Sequence, residues 1–179
     1  MWILKKILYY YTTLPVVIFR RFIKRKQEWA TIISNNLSIS GFYYRQKDID
    51  FIINNKINLI INFADELYLN NSFKKQLFKY NIEFITFKVK DRTPISLNVL
   101  ETWYEIVKKN IDNGYKIHIN CAMWQSRSAM FLAFILLKLD SNQLLYNNDI
   151  DLVLKEIKNK REQVYLHKNQ YNMLKSYFK

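Results

Sequence analysis

Short apolar runs alternate with longer amphipathic segments along most of this chain. The apolar runs have the length of strands, with Ile as their commonest apolar residue, and lie at 36–40, 57–63, 82–89 and 115–120. Segments with the apolar period of a helix lie between and after them, at 47–55, 71–80, 96–113, 128–139, 149–160 and 167–178. Strands that alternate with helices predict an α/β fold, with a central, mainly parallel sheet flanked by helices.

Two chemically distinctive residues lie where predicted strands end. Cys121 directly follows the strand 115–120, and Asp91 lies in the polar loop after 82–89, which we expect to be the adjacent strand. Gly114 suits the end of the helix 96–113 and leads the chain into the Cys121 strand. Because ligands bind beyond the carboxyl ends of parallel strands, the pattern predicts a site that contains Cys121 and Asp91.

The segment from Cys121 to Ser128 has the spacing of a phosphate-binding loop. It reads Cys-Ala-Met-Trp-Gln-Ser-Arg-Ser, so Arg127 lies six residues after the only cysteine, between a short strand and an apolar helix. Backbone amides and the helix N-terminus would face a bound phosphate, and Arg127 would bind two of its oxygens. The predicted phosphate-binding residues are Ala122, Met123, Trp124, Gln125, Ser126 and Arg127. Cys121 would lie beneath the phosphate as nucleophile, and the alternative for this residue is a small buried hydrophobe.

Three side chains could carry the steps of phosphomonoester cleavage. Cys121 would attack as a thiolate and form a cysteinyl-phosphate, while Asp91 would protonate the leaving oxygen and then act as base for water. Ser128 would hydrogen-bond the thiolate and make it a better leaving group in the second step. The alternatives are that Asp91 only forms a turn, that Ser128 only caps the helix, and that Asp65 or Glu66 is the acid.

Composition limits the other kinds of site. The chain has 179 residues, half of them hydrophobic, which suffice for one domain. One cysteine excludes an internal disulfide, and two distant histidines offer no basis for a catalytic metal site, so neither a metal nor a cofactor is expected. His118 would point away from Cys121 by strand alternation and is expected to be structural. A reducing, cytoplasmic location is expected.

The first 26 residues combine positive charge with apolar bulk. The net charge is +13, and seven basic residues precede the first acidic residue, Glu28. The uncharged stretch 7–19 is too short to span a membrane, and the basic cluster after it disfavours a cleavable signal peptide. We expect residues 1–28 to form a basic apolar helix that binds an anionic membrane surface, ahead of a domain at 29–179. The alternatives are a helix packed on the domain, a docking segment for a protein, and nucleic acid binding, which no recognised motif favours.

Several motifs resemble the cysteine-dependent dual-specificity subgroup of the protein tyrosine phosphatases. The loop from Cys121 to Ser128 resembles the signature loop of that family, and Val89-Lys90-Asp91-Arg92-Thr93-Pro94 resembles its general-acid loop. Further similarities lie at 36–41, at 60–66, at 160–164, and at Gln170 and Leu174. Trp29, the Asp65-Glu66 pair and Gln170 look most like the branch of phosphatidylglycerophosphate phosphatases. The resemblance implies the fold of the family, a cysteinyl-phosphate mechanism, and a phospholipid, phosphoinositide or phosphoprotein substrate.

Two residues depart from the pattern of that family. Asn120 stands directly before the cysteine, where the family usually has His, and Trp124 stands where it usually has Gly. Asn120 brings no imidazole, and the Trp124 indole must fit on a loop that wraps a phosphate. These departures keep open a catalytically inactive phosphate-binding scaffold, and the positive charge keeps open an RNA 5′-phosphatase.

Overall fold

The computed structural model describes residues 30–41, 46–64, 71–122, 125–140 and 142–179. Five strands of these ranges form one sheet: β1 (Ala30–Ile32), β2 (Leu37–Ser40), β3 (Leu59–Asn62), β4 (Glu83–Thr86) and β5 (Ile117–Asn120). The helices of these ranges are α1 (Gln46–Asn54), α2 (Asn71–Lys79), α3 (Leu97–Asp112), α4 (Arg127–Leu139), α5 (Ile150–Lys160) and α6 (Lys168–Tyr177). None of these helices is both long enough and apolar enough to cross a membrane. The predicted N-terminal helix and the predicted boundary between residues 28 and 29 lie outside the described residues.

The strands are arranged in the order β1-β2-β5-β3-β4, with β5 at the centre of the sheet. Neighbouring strands run parallel except β1 and β2, which are antiparallel. The prediction of an α/β fold with a mainly parallel sheet is therefore confirmed. The register aligns the carboxyl ends of the three central strands, because Asn120 pairs with Ser40 of β2 and with Asn62 of β3. Residues that follow these three lie at one edge of the sheet, the edge that the carboxyl ends of these strands form.

Two strands differ from the prediction. The sequence pattern did not predict β1, because three residues are too few to show an alternation. β1 is also an outermost strand, and its residue Ile32 is 54% exposed. β4 ends at Thr86, whereas the apolar run continues to residue 89. Phe87 N makes one further bond to Asn62 O, at 2.8 Å, and the chain then leaves the sheet. The apolar character of the run after Phe87 reflects burial in a loop and not sheet pairing.

Two apolar cores cover the two faces of the sheet. α3, α4, α5 and α6 pack on the face that carries Ile119, whereas α1 and α2 pack on the face that carries Ile60. α4 is the central helix of the larger core, and its residues from Arg127 to Leu137 are all buried. Burial of each large apolar side chain of this kind contributes about 1.5–3 kcal/mol. Packing on all sides therefore fixes the helix that begins at the candidate phosphate loop.

α3 ends in a Schellman motif that turns the chain into β5. Gly114 has a φ of +79°, in the left-handed region that favours glycine. Tyr115 N donates to Asn110 O at 2.9 Å, and Gly114 N donates to Ile111 O at 2.8 Å, which satisfies the last carbonyls of the helix. The predicted helix end at Gly114 is confirmed, and this turn sets the path of the strand that leads to Cys121.

Candidate active site

Cys121 lies directly beyond the carboxyl end of β5. It is 2% exposed, and its Sγ lies 3.2 Å from the hydroxyl oxygen of Ser128. Ser128 belongs to the first turn of α4, whose N-cap is Ser126, so Ser128 does not occupy the capping position. Its hydroxyl is placed to hydrogen-bond the sulfur. The central strand and the buried helix α4 together hold these two side chains in contact.

Arg127 connects the candidate phosphate loop to the loop that carries Asp91. Its side chain is 1% exposed, and its Nη1 donates to Val89 O at 2.9 Å. Its Nε lies 3.5 Å from Asp91 Oδ1, and the Asp91 side chain is about half exposed. Asp91 therefore faces a buried cation on one side and solvent on the other. The structure brings Asp91 and the Cys121–Arg127 loop together, as the sequence predicted.

The strand before Asp91 is not adjacent to the Cys121 strand, which corrects the expectation. β4 is one of the two outer strands of the sheet, and β3 lies between it and β5. The loop after β4 crosses this gap by folding over α4, with Val89 and Ile95 buried. Ile95 N donates to Met130 Sδ of α4 at 3.4 Å. Asp91 thus reaches the site through loop packing, which no alternation of residues could have indicated.

A tight turn between Lys90 and Thr93 presents Asp91. Thr93 N and Thr93 Oγ1 both donate to Lys90 O, at 3.2 and 2.6 Å. Arg92 has a φ of +62°, a left-handed conformation that is strained for a residue other than glycine. The second oxygen of Asp91 lies 3.9 Å from Arg92 Nε. Strain of this kind persists only where surrounding contacts hold it, and it is common at functional sites.

Asn120 is bonded to the neighbouring strand. Its Nδ2 donates to Asn62 Oδ1 at 3.0 Å, and the same oxygen accepts from Ala64 N at 3.1 Å. These bonds tie the ends of β5 and β3 together beneath the candidate site. The Oδ1 atom of Asn120 is buried and has no hydrogen-bond partner in the described part of the chain. The side-chain NH2 group of Asn120 therefore makes a structural bond, while its side-chain amide oxygen has no partner among the described residues.

His118 is a structural histidine, as predicted. It is fully buried on the opposite face of β5 from Cys121, and its Nδ1 and Nε2 each lie 2.7 Å from a hydroxyl oxygen, of Ser38 and Ser40. Burial lowers the pKa of His118 to about 3, and the positive charge of Arg161 adds to the effect. The imidazole is therefore neutral in the fold and serves to join β5 to β2.

Sequence reasoning gave no role to two polar residues at the start of α6. Only the family resemblance indicates Gln170, and no pattern in the sequence indicates a function for Asn169. Gln170 is fully buried and bonds both Ser126 and Thr93, and Asn169 bonds Arg92. The only available signal was a polar residue at the buried period of a helix, four positions before Leu174. Such a signal does not reveal what the side chain binds.

The remaining candidates lie partly outside the described residues. Met123, Trp124, Asp65 and Glu66 lie outside them, so phosphate binding by the first two and an acid role for the last two stay predictions. Of their neighbours in the loop, Ala122 is buried and Gln125 O accepts from Tyr165 N at 3.1 Å. Within the described ranges, no three His, Cys, Asp or Glu side chains gather into a group that could hold a metal ion.

Comparison with known proteins identifies the fold. No family model matches the sequence, and no curated protein matches it. PTPMT1 in complex with PI(5)P has a TM-score of 0.71 at 17% identity, covering 84% of this chain and 95% of that chain. Tk-PTP in the active form has a TM-score of 0.69 at 18% identity, covering 83% and 95%. DUSP15 has a TM-score of 0.66 at 18% identity, covering 83% and 86%.

The similarity to these solved structures concerns the whole domain. Because each match covers most of both chains, it includes the sheet and the helices around Cys121 and not one motif alone. The similarity at these identities is one of architecture. The resemblance inferred from the two loops is thus confirmed at the level of the fold: the chain has the fold of the dual-specificity protein tyrosine phosphatases, including PTPMT1.

Proposed function

We propose that this protein is a cysteine-dependent phosphatase that hydrolyses phosphomonoesters through a cysteinyl-phosphate intermediate. One observation carries the proposal: the convergence of groups from three segments at one sheet edge. Cys121 Sγ lies 3.2 Å from Ser128 Oγ, and Arg127 Nε lies 3.5 Å from Asp91 Oδ1. These groups are a nucleophile, a cation for the phosphoryl oxygens and an acid for the leaving group, which is what the reaction requires.

In the first step, the Cys121 thiolate attacks phosphorus. The S–P bond forms as the P–O bond to the alcohol breaks, and the protonated carboxyl of Asp91 donates its proton to the departing oxygen. Arg127 and the amides of the loop bind the non-bridging oxygens, where negative charge is concentrated in the transition state. The burial of Arg127 keeps this interaction away from bulk water, where it would be weaker.

In the second step, water attacks the cysteinyl-phosphate. The Asp91 carboxylate accepts a proton from the water as the O–P bond forms, and the S–P bond breaks to release inorganic phosphate. Ser128 donates a hydrogen bond to the departing thiolate, from the position it already occupies beside the sulfur. Asp91 ends the cycle protonated, ready to act as acid again.

We further propose that the substrate is a phosphorylated lipid at an anionic membrane surface. Ala30 pairs with Ser40, and Ser40 pairs with Asn120, so the chain that follows the basic apolar segment 1–28 enters the sheet at the edge that carries the candidate site. Three exposed cations lie on the Asp91 loop, at Lys88, Lys90 and Arg92. The similar PTPMT1 structure contains PI(5)P, which supports a lipid phosphate here.

A substrate panel tests the proposal. The panel contains an aryl phosphate, vesicles with phosphoinositide or phosphatidylglycerophosphate, a phosphotyrosine peptide and a 5′-phosphorylated RNA. Cys121→Ser should abolish turnover, and Asp91→Asn should lower kcat/KM about 10²–10⁴-fold for substrates with poor leaving groups. Asp112→Asn is a matched control, since Asp112 lies on the exposed end of α3 and pairs with Lys108. Turnover that survives Cys121→Ser would contradict the mechanism, and the preferred substrate would decide between lipid, protein and RNA.

A phosphate-binding protein without turnover is the second candidate. Asn120 favours it, because its amide is bonded to Asn62 and its buried oxygen has no partner among the described residues. No imidazole is therefore present at this position to act on the thiolate. Binding of a phosphate ester to folded wild-type protein, without release of inorganic phosphate from any substrate of the panel, would favour this candidate.

A further inference from the structure

The N-terminus of α6 holds the loop that carries Asp91. Asn169 Nδ2 donates to Arg92 O at 3.1 Å, and Gln170 Nε2 donates to Thr93 O at 3.0 Å. These two carbonyls are consecutive and directly follow Asp91 in the chain. Two adjacent side chains of one helix therefore fix the backbone on the carboxyl side of the candidate acid.

The same Gln170 side chain holds the candidate phosphate loop. Its Oε1 accepts from Ser126 Oγ at 2.6 Å and from His167 N at 3.0 Å. Ser126 is the N-cap of α4 and directly precedes Arg127, yet its hydroxyl makes no capping bond to the helix. The Ser126 hydroxyl is used instead to bind Gln170. One amide group, fully buried, thus joins the loop of Cys121 to the loop of Asp91.

The backbone conformation beside Asp91 explains why such support is needed. Arg92 has a φ of +62°, which is strained for an arginine. A loop with this strain would relax to other conformations unless other contacts opposed it, and Asn169 bonds the carbonyl of Arg92 itself. The bond between Arg127 Nη1 and Val89 O holds the amino side of Asp91 in a similar way.

We propose that Asn169 and Gln170, the α6 clamp, are positioning residues that keep Asp91 at the phosphate loop in the absence of substrate. This inference rests on the proposed phosphatase function and assigns the clamp to one part of it, the proton transfer by Asp91. The clamp holds the backbone of the acid loop and does not touch the reacting atoms. Its loss frees the loop to move away from Arg127, and the leaving group then departs without a proton.

The leaving group provides a readout that a merely structural role would not move. Dinitrophenyl phosphate releases a stable phenolate that needs no proton, whereas phenyl phosphate needs the acid. Asn169→Ala and Gln170→Glu should lower kcat/KM for phenyl phosphate by at least about tenfold and leave dinitrophenyl phosphate within about threefold, as general-acid loss does. Gln170→Glu keeps the acceptor for Ser126 and His167 and replaces the donor to Thr93 by a carboxylate oxygen, which repels the Thr93 carbonyl. Asn172→Ala, at an exposed position one turn along α6, is the matched control.

Hydrogen exchange tests the clamp independently of turnover. Backbone amides of residues 90–93 and of Ile95 should exchange faster in both clamp variants than in wild type, while those of β5 and α4 keep their rates. An equal loss of activity on both phosphates, or unchanged exchange at residues 90–93 and Ile95, would overturn the inference. A wild type that turns over neither phosphate, with faster exchange in the variants, would instead contradict the proposed function and leave the clamp supported.

Discussion

His118 is fully buried with both ring nitrogens next to hydroxyl groups of β2. An imidazole in this setting can accept a bond from one serine and donate to the other only while it is neutral. Its role is to join the two strands beside the candidate nucleophile. Alternation along β5 predicted a structural histidine that points away from Cys121, because residues 118 and 121 lie on opposite faces of the sheet, but it did not predict the bonds to β2.

The first prediction concerns stability in acid. The pKa of His118 is about 3 in the fold, against 6.5 for an ordinary histidine, so between these values the unfolded chain binds a proton that the fold does not. The contribution of the neutral His118 to the unfolding free energy is therefore complete above about pH 6.5. It is lost as the pH falls toward 3. Urea unfolding at pH 7.5 and pH 5 should show a larger loss of unfolding free energy in wild type than in His118→Gln.

The matched control for this prediction is His167→Gln, which removes the only other histidine and leaves the buried one. The loss of stability between the two pH values should persist in that variant. An equal loss in wild type and in His118→Gln would show that other groups cause it.

At the scale of elements, turns and loops decide where the chemistry lies. The Schellman motif at Gly114 sets the direction in which the chain enters β5. The loop after β4 passes β3 and places Asp91 beside Arg127. Neither connection depends on strand pairing. The apolar residues after β4, including the buried Val89, belong to this loop, and the predicted strand was therefore too long.

The second prediction concerns Gly114. A Cβ at this position would meet nothing within 4 Å, so the cost of Gly114→Ala comes from its φ of +79° alone. We expect a loss of about 1 kcal/mol in unfolding free energy, because the left-handed region costs residues other than glycine about that much. Gly114→Asn should lose less, since Asn tolerates this region better.

The control for Gly114 is its neighbour Asn113, which has an ordinary φ of −84°. Asn113→Ala should change the unfolding free energy little. Urea unfolding of all three variants measures the difference. Stability of Gly114→Ala at or above that of wild type would contradict a conformational requirement at this turn.

At the scale of the whole molecule, topology relates the basic segment to the candidate site. β1 runs antiparallel to β2, so Ala30 lies at the same sheet edge as Asn120, two strands and about 10 Å away. A segment that binds a membrane just before Ala30 would therefore bring the candidate site close to that membrane. This arrangement joins two features that the sequence presents separately, the N-terminal charge and the Cys121 loop.

The third prediction tests this relation in the full chain. Replacement of Arg20, Arg21, Lys24, Arg25 and Lys26 by Gln should lower activity on phosphoinositide in anionic vesicles by at least about tenfold, because each cation near such a surface contributes about 1 kcal/mol. Activity on a soluble aryl phosphate should be unchanged. Vesicle sedimentation of the same variant should show the loss of binding directly.

The matched control replaces five exposed lysines of α2 and α5 by Gln: Lys74, Lys75, Lys79, Lys155 and Lys158. It removes the same charge from two helices of the described domain and leaves the basic residues of the N-terminal segment unchanged. Equal losses in the two variants would point to the overall charge of the protein, and no loss in either would contradict membrane binding by the N-terminal segment.

The sequence by itself determined the architecture and the identity of the central candidate residues. Apolar runs and helical periods reflect local geometry, so they predicted the mainly parallel sheet. The Cys121–Arg127 spacing predicted the phosphate loop because the two residues are only six positions apart in the sequence. Only the tertiary structure decided which elements meet. The bonds of Gln170 to Ser126 and Thr93 join residues 44 and 77 positions apart, and the path of Asp91 over α4 depends on packing. Contacts between distant parts of the chain leave no periodic trace in a single sequence, which is why they became visible only in the fold.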